Sequence, residues 1–161
     1  MSNMSNTDKN LADLRAFQTK LEAAKKMRVK VGLPSGKTIA THVYDGGQSV
    51  FEIGAKHEFG IGVPRRSWLR NSVEANRPAI IKTIHAQFDL AKGAGAPVDK
   101  AMDTIGITVR NFCVRAFRTN GFDSWAPLSP ATMAEKAARG KSTTLIDTGT
   151  LRQSITWEVV K

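Results

Sequence analysis

Two short alternating stretches, one towards each end of the chain, decide what it can fold into. Met27, Val29, Val31 and Leu33 alternate with Arg28, Lys30 and Gly32, and Pro34 closes the run. Much later, Ile155, Trp157 and Val159 alternate with Thr156, Glu158 and Val160. Alternation with a period of two puts one set of side chains on one face, the signature of a half-buried strand. A strand alone leaves its backbone donors and acceptors unpaired, so each of these needs a partner. The pattern predicts that 27–33 and 155–160 share one antiparallel sheet.

The rest of the chain repeats at helical spacing. Leu11, Leu14, Phe17, Leu21 and Ala24 predict a helix over 8–26. Val50, Ile53 and Gly54 mark the inward face of a short helix within 48–59, stopped by Gly60. The segment 67–92 reads as helix in two parts, because Pro78 is tolerated only near a helix start. Its second part carries a stripe of Ile80, Ile81, Ile84 and Phe88, and GAGAP then forms a linker. From Val98, the positions Met102, Ile105, Val109, Phe112, Cys113 and Ala116 describe a long amphipathic helix closed by Asn120-Gly121. Ser129-Pro130 opens a small helix through Ala138. The expected fold class is α+β: an antiparallel sheet with long amphipathic helices packed on one face. At 161 residues one domain, 1–161, is expected, with the helix 8–26 able to stand as a peripheral arm.

Charge says more about partners than about fold. The net charge is +10, with 13 Lys and Arg against 7 Asp and Glu through Ile80 and 11 against 7 after it. The excess is spread over the body and not gathered in a tail, which favours polyanions or acidic protein surfaces. No run approaches the ~18–20 apolar residues of a membrane span, so no membrane is expected as a partner. The start, MSNMSNTDKN, has no apolar core of the kind that directs secretion. A single cysteine, Cys113, excludes an internal disulfide, and the scattered His42, His57 and His85 offer no zinc spacing.

Three strings suggest chemistry and fail on context. LIDTGT at 145–150 looks like an aspartic protease loop, yet that class needs an all-β barrel and a second carboxylate sharing a proton. A turn in which Asp147 caps the backbone ahead of Leu151 explains it better. VKVGLPSGKT has only three residues between Gly32 and Gly36, where a P-loop needs four, and no helical stripe follows. His57-Glu58 lacks the second histidine of a zinc protease, position 61 being Ile. Cys113 lies on an apolar stripe and reads as core. The chain is not expected to be an enzyme, and no cofactor or metal is expected.

Two further strings, IGAKHEFGIGVPRRSWLR (53–70) and WAPLSPATMAEKAARGKSTTLIDTGTLRQSITWEV (125–159), carry a resemblance. Together they resemble the small neck and tail-completion (virion morphogenesis, Mu G-like) protein family of long-tailed bacteriophages. The matching features are the helix-ending His57–Gly60, the proline-arginine loop leading into a helix at Val63–Arg70, and the segment Leu145–Ile155 before the last strand. The family loop usually reads Pro-Pro-Arg-Pro-Phe; here it is Val63-Pro64-Arg65-Arg66-Ser67-Trp68. The resemblance implies a structural virion protein forming a homo-oligomeric ring, hexamer or dodecamer, at the head–tail junction or tail end. Genomic DNA would pass through it, neighbouring neck and tail proteins would bind it, and it would reside in the host cytoplasm only during assembly. In that setting the DTG turn directs the last strand and catalyses nothing. A minor tail or baseplate component and a basic nucleic-acid-binding module are the alternatives.

Candidate interface residues follow from position. Arg65, Arg66, Trp68 and Arg70 crowd a loop and a first helical turn, where they either grip a neighbour or form a solvated basic helix start with Trp68 folded into the core. Arg110, Arg115 and Arg118 lie off the stripe of the longest helix, either facing DNA or a partner or simply solvated. Trp125 is expected to anchor its loop on the core. The helix 8–26 and the Gly-rich passage 38–47 are the surfaces least explained by a monomer.

Overall fold

The computed structural model describes residues 6–34, 42–44, 46–93, 96–145 and 148–161. The two alternating stretches pair as their pattern predicts. β1 (Arg28–Gly32) and β2 (Thr156–Val160) run antiparallel, with Val29 opposite Val159 and Val31 opposite Trp157. Those apolar pairs pack towards the core, while Lys30 and Glu158 meet elsewhere in the register as an exposed ion pair at 3.6 Å.

Helices make up most of the rest. In chain order they are α1 (Asn6–Lys25), α2 (Val50–Phe59), α3 (Arg70–Ala75), α4 (Arg77–Gly93), α5 (Val98–Ala116), α6 (Pro130–Ala138) and α7 (Thr150–Ser154). The fold class is α+β, a mostly helical chain with a two-stranded antiparallel sheet among the described residues. α5 packs against both strands and against α4. It can lie close to the sheet because position 106 is glycine: an added Cβ would overlap the Trp157 ring and press on Val29 Cγ1 at 3.1 Å. That approach outweighs the roughly 1 kcal/mol that glycine costs inside a helix.

At 19 residues α5 is roughly 28 Å long, and a separate core cluster forms at each end. At its start Val98, Met102 and Ile105 pack with Ala24 and Met27, joined by Ile84, Phe88, Val29 and Val159. At its end Cys113, Ala116 and Phe117 pack with Val50, Trp68, Trp125, Leu151 and Ile155. Burial pushes the Cys113 thiol up to about 12, so it stays protonated and enclosed. A thiol reagent such as DTNB is therefore expected to leave native protein unlabelled at pH 8 and to label it fully in denaturant. Rapid native labelling would show the C-terminal end of α5 to be open.

One expectation needs correction. Ile81 is exposed, because α4 turns Ile84 and Phe88 towards the core and Ala91 is its fully covered position. Just before β2 the chain makes a left-handed turn and a short helix. Gly149 adopts φ 80°, the Thr148 hydroxyl accepts from Thr150 N–H at 3.3 Å, and one helical turn follows as α7. Leu151 and Ile155, four apart, are thereby both buried. α1 is amphipathic by pattern but covered only towards its C-terminal end, Ala24 being buried and Leu11 and Leu14 exposed, as a peripheral arm would be. Lys20 Nζ ties it to the Ala91 carbonyl at 3.0 Å. Asp147 and, within the passage 38–47, residues 38–41 and 45 lie outside the described residues.

Candidate functional site

The segment 53–70 is a helix stop and a return, and its polar groups explain the geometry. α2 begins with a capping box: Glu52 N–H donates to Ser49 Oγ at 3.2 Å and Ser49 N–H to Glu52 Oε2 at 2.7 Å. The backbone and side-chain bonds from Ser49 hold the Glu52 carboxyl below its ordinary value. α2 ends at Gly60, whose φ of 76° is left-handed, with both Gly60 and Ile61 N–H groups on the Lys56 carbonyl. The chain then doubles back over α2 and Glu58 fastens it. Its buried carboxylate accepts from Ser67 Oγ at 2.7 Å, Leu69 N–H at 2.9 Å and Arg70 N–H at 3.1 Å. α3 has no side-chain cap of its own, so Glu58 satisfies its leading donors from another helix.

The same return binds the second segment of the resemblance. Arg66 donates from Nε to the Ala126 carbonyl and from Nη2 to the Pro127 carbonyl, each at 3.2 Å. Trp125 Nε1 donates to the Ser67 carbonyl at 3.1 Å, and its ring meets Phe117 edge-on at 5.7 Å. Gly54 lies against Leu151 of α7 and accepts from Trp68 Nε1 at 3.0 Å through its carbonyl. Residues 53–70 and 125–155 thus interlock around the end of α5.

This placement divides the expected interface residues. Arg66 and Trp68 face the chain's own interior, Arg66 only 6% exposed and Trp68 in the core. Both hold loops together: Trp68 lies in the core, and Arg66 is recessed and reaches the surface only through a cleft. Arg65 and Arg70 stay at the surface beside Asn71, Glu74 and Ser124, with Arg65 Nε donating to the Glu58 carbonyl at 3.3 Å. Arg110 is half-buried and donates to the Ile155 carbonyl at 3.1 Å, fastening α5 to the start of β2. Arg115 and Arg118 are exposed, as their position off the stripe suggests. Trp125 anchors its loop as expected.

Sequence reasoning missed a cleft of about 460 Å³ between α2, α6 and α7. Ile53, Leu128, Leu145 and Leu151 supply apolar wall, and His57, Arg66, Lys136 and Arg139 supply polar groups. His57 Nδ1 is buried without a hydrogen-bond partner, and burial together with the nearby Arg66 lowers the imidazole's pKa, favouring the neutral ring. Burial also lowers the Arg66 guanidinium from its usual value. The cleft was illegible because its residues come from four distant stretches of the chain. Among the described residues no three His, Cys, Asp or Glu side chains gather as a metal site would need, and no helix is long and apolar enough to cross a membrane.

No known protein family, curated protein or solved structure matches this chain.

Proposed function

We propose that this protein is a structural virion component of a tailed phage, a subunit of a homo-oligomeric ring at the neck or tail end through which DNA passes. The observation that carries the reading is that large apolar side chains stand uncovered on two different elements, α1 and α2. α1 leaves Leu11 and Leu14 open to solvent, Leu14 at 58%. α2 and its stop expose Phe51, Phe59 and Ile61, Phe59 at 63%. Large apolar side chains grouped at a surface mark an interaction site. Head-to-tail closure of a ring needs two unlike patches per subunit, whereas a two-fold dimer needs one self-complementary patch.

The resemblance of 53–70 and 125–159 to neck and tail-completion proteins supports the same reading. So does the interlocking of those segments, which makes one body of what the sequence holds apart. The +10 charge suits a DNA-lined channel or acidic neighbours, and a subunit of 161 residues cannot alone enclose a duplex roughly 20 Å across. That charge, with Arg115 and Arg118 exposed on and just beyond α5, is also what favours the nucleic-acid-binding alternative.

Deletion separates the two. Phage lacking this protein are expected to make filled heads and separate tails that fail to join, or tails with faulty ends, seen by electron microscopy. Intact, infectious particles would overturn the virion role and leave the nucleic-acid module as the better account.

A further inference from the structure

Arg66 presents a physical puzzle. It is 6% exposed, yet its only hydrogen bonds from the side chain go to two neutral carbonyls, and no described carboxylate lies within ion-pair distance. Glu58, on the helix that the loop covers, has its oxygens engaged by Ser67, Leu69 and Arg70. A guanidinium carries five N–H donors, so three remain after the two carbonyls are served. A buried cation without an opposite charge is costly to hold, and Arg stays charged. The side chain lines the 460 Å³ cleft, and His57, with its unpartnered Nδ1, lines it too.

We infer that this cleft binds a carboxylate side chain, flanked by aliphatic residues, from an acidic segment of a partner protein. The carboxylate supplies the counter-charge that Arg66 lacks, in the planar two-pronged geometry that a guanidinium favours. Lys136 on α6 and Arg139 just beyond it line the same wall, Arg139 paired with Glu135 at 3.0 Å. Ile53, Leu128, Leu145 and Leu151 receive the aliphatic neighbours, and the volume falls in the range of pockets that hold a few side chains. Nucleic acid fits the cleft poorly. A duplex presents its phosphates on a convex outer surface, while Arg66 is recessed among apolar walls; the solvent-exposed Arg65, Arg70, Arg115 and Arg118 are not among its lining residues. The site and its test do not depend on the virion role.

The test is a titration of the full ¹⁵N-labelled chain, followed at the Arg66 Nε–H and His57 imidazole resonances. The probe is the peptide acetyl-Ala-Leu-Glu-Leu-Ala-amide; its Gln counterpart, inorganic phosphate and a short DNA duplex are separate arms. The Glu peptide is expected to shift both resonances saturably, with a Kd on the order of 1 mM or tighter, and the Gln peptide to bind at least about tenfold more weakly. Arg66→Lys gives up both carbonyl bonds and can unfold the chain, so Thr132→Glu is the deciding variant. Thr132 lines the cleft in the first turn of α6, where a negatively charged side chain is favoured by the helix dipole. That variant is expected to fold and to weaken the Glu peptide at least about tenfold, because the cleft then carries its own carboxylate. Equal binding of the two peptides, no shift with millimolar Glu peptide, or undiminished binding by a folded Thr132→Glu overturns the inference. So does a response at these resonances to phosphate or DNA that exceeds the peptide's.

Discussion

Glu58→Ala is expected to lower the unfolding free energy by about 3–5 kcal/mol, measured by urea or thermal unfolding. The reasoning is a count of orphaned donors. Glu58 is 6% exposed and accepts from the Ser67 hydroxyl and from the Leu69 and Arg70 N–H groups. The hydroxyl can rotate to another acceptor, but the two backbone donors cannot, and each buried unpaired donor costs about 1–3 kcal/mol. Removing the side chain also leaves a void between α2 and the return loop, adding a packing loss. Glu58→Gln keeps the shape and one acceptor oxygen, so roughly half that loss is expected. A domain of this size has only about 5–15 kcal/mol in hand, so the alanine variant should be marginal. A loss under about 1 kcal/mol would show that Glu58 does not hold the return, and that the His57–Gly60 signal has another purpose.

The contrast between Glu58 and the arginines shows which facts a sequence displays. Element types were legible where the period was long or punctuated. β1, β2 and α5 follow from alternation and stripe, α6 from Ser129-Pro130, and the stop of α2 from Gly60. α7 was hidden because five residues span little more than one turn, and its left-handed start at Gly149 reads equally well as a plain turn. Ile81 was misplaced because four apolar residues crowd α4, and of these Ile84 and Phe88 join the cluster with α1 and α5. Partner identity is the least visible property. Arg65, Arg66 and Arg70 are indistinguishable as letters, yet Arg66 meets carbonyls 60 residues away while the other two stay in solvent. The uncovered half of α1 was foreseeable as an arm; the cleft lined by His57 and Arg66 was not, since no local pattern records what distant loops will enclose.

Phe117→Ala is expected to cost about 3–5 kcal/mol and to change the tryptophan emission of the folded state. Phe117 is wholly buried, with ring centroids 5.7 Å from Trp125 and 6.4 Å from Trp68. It therefore sits between the indoles contributed by the two interlocked segments, and truncation removes the surface both pack on. The void cannot close easily. Trp68 is fixed by its bond to the Gly54 carbonyl and Trp125 by its bond to the Ser67 carbonyl. Gly121, left-handed at φ 66°, lies so close to Trp125 that an added Cβ would overlap its ring. Phe59→Ala is the matched control, the same atoms removed from a side chain 63% exposed on α2, with an expected change within about 0.5 kcal/mol. If both variants cost the same, the core boundary drawn here is wrong. If Phe117→Ala unfolds the chain more easily while Phe59→Ala leaves stability unchanged but weakens self-association, then Phe59 acts at a surface between molecules, as the proposed ring subunit would require.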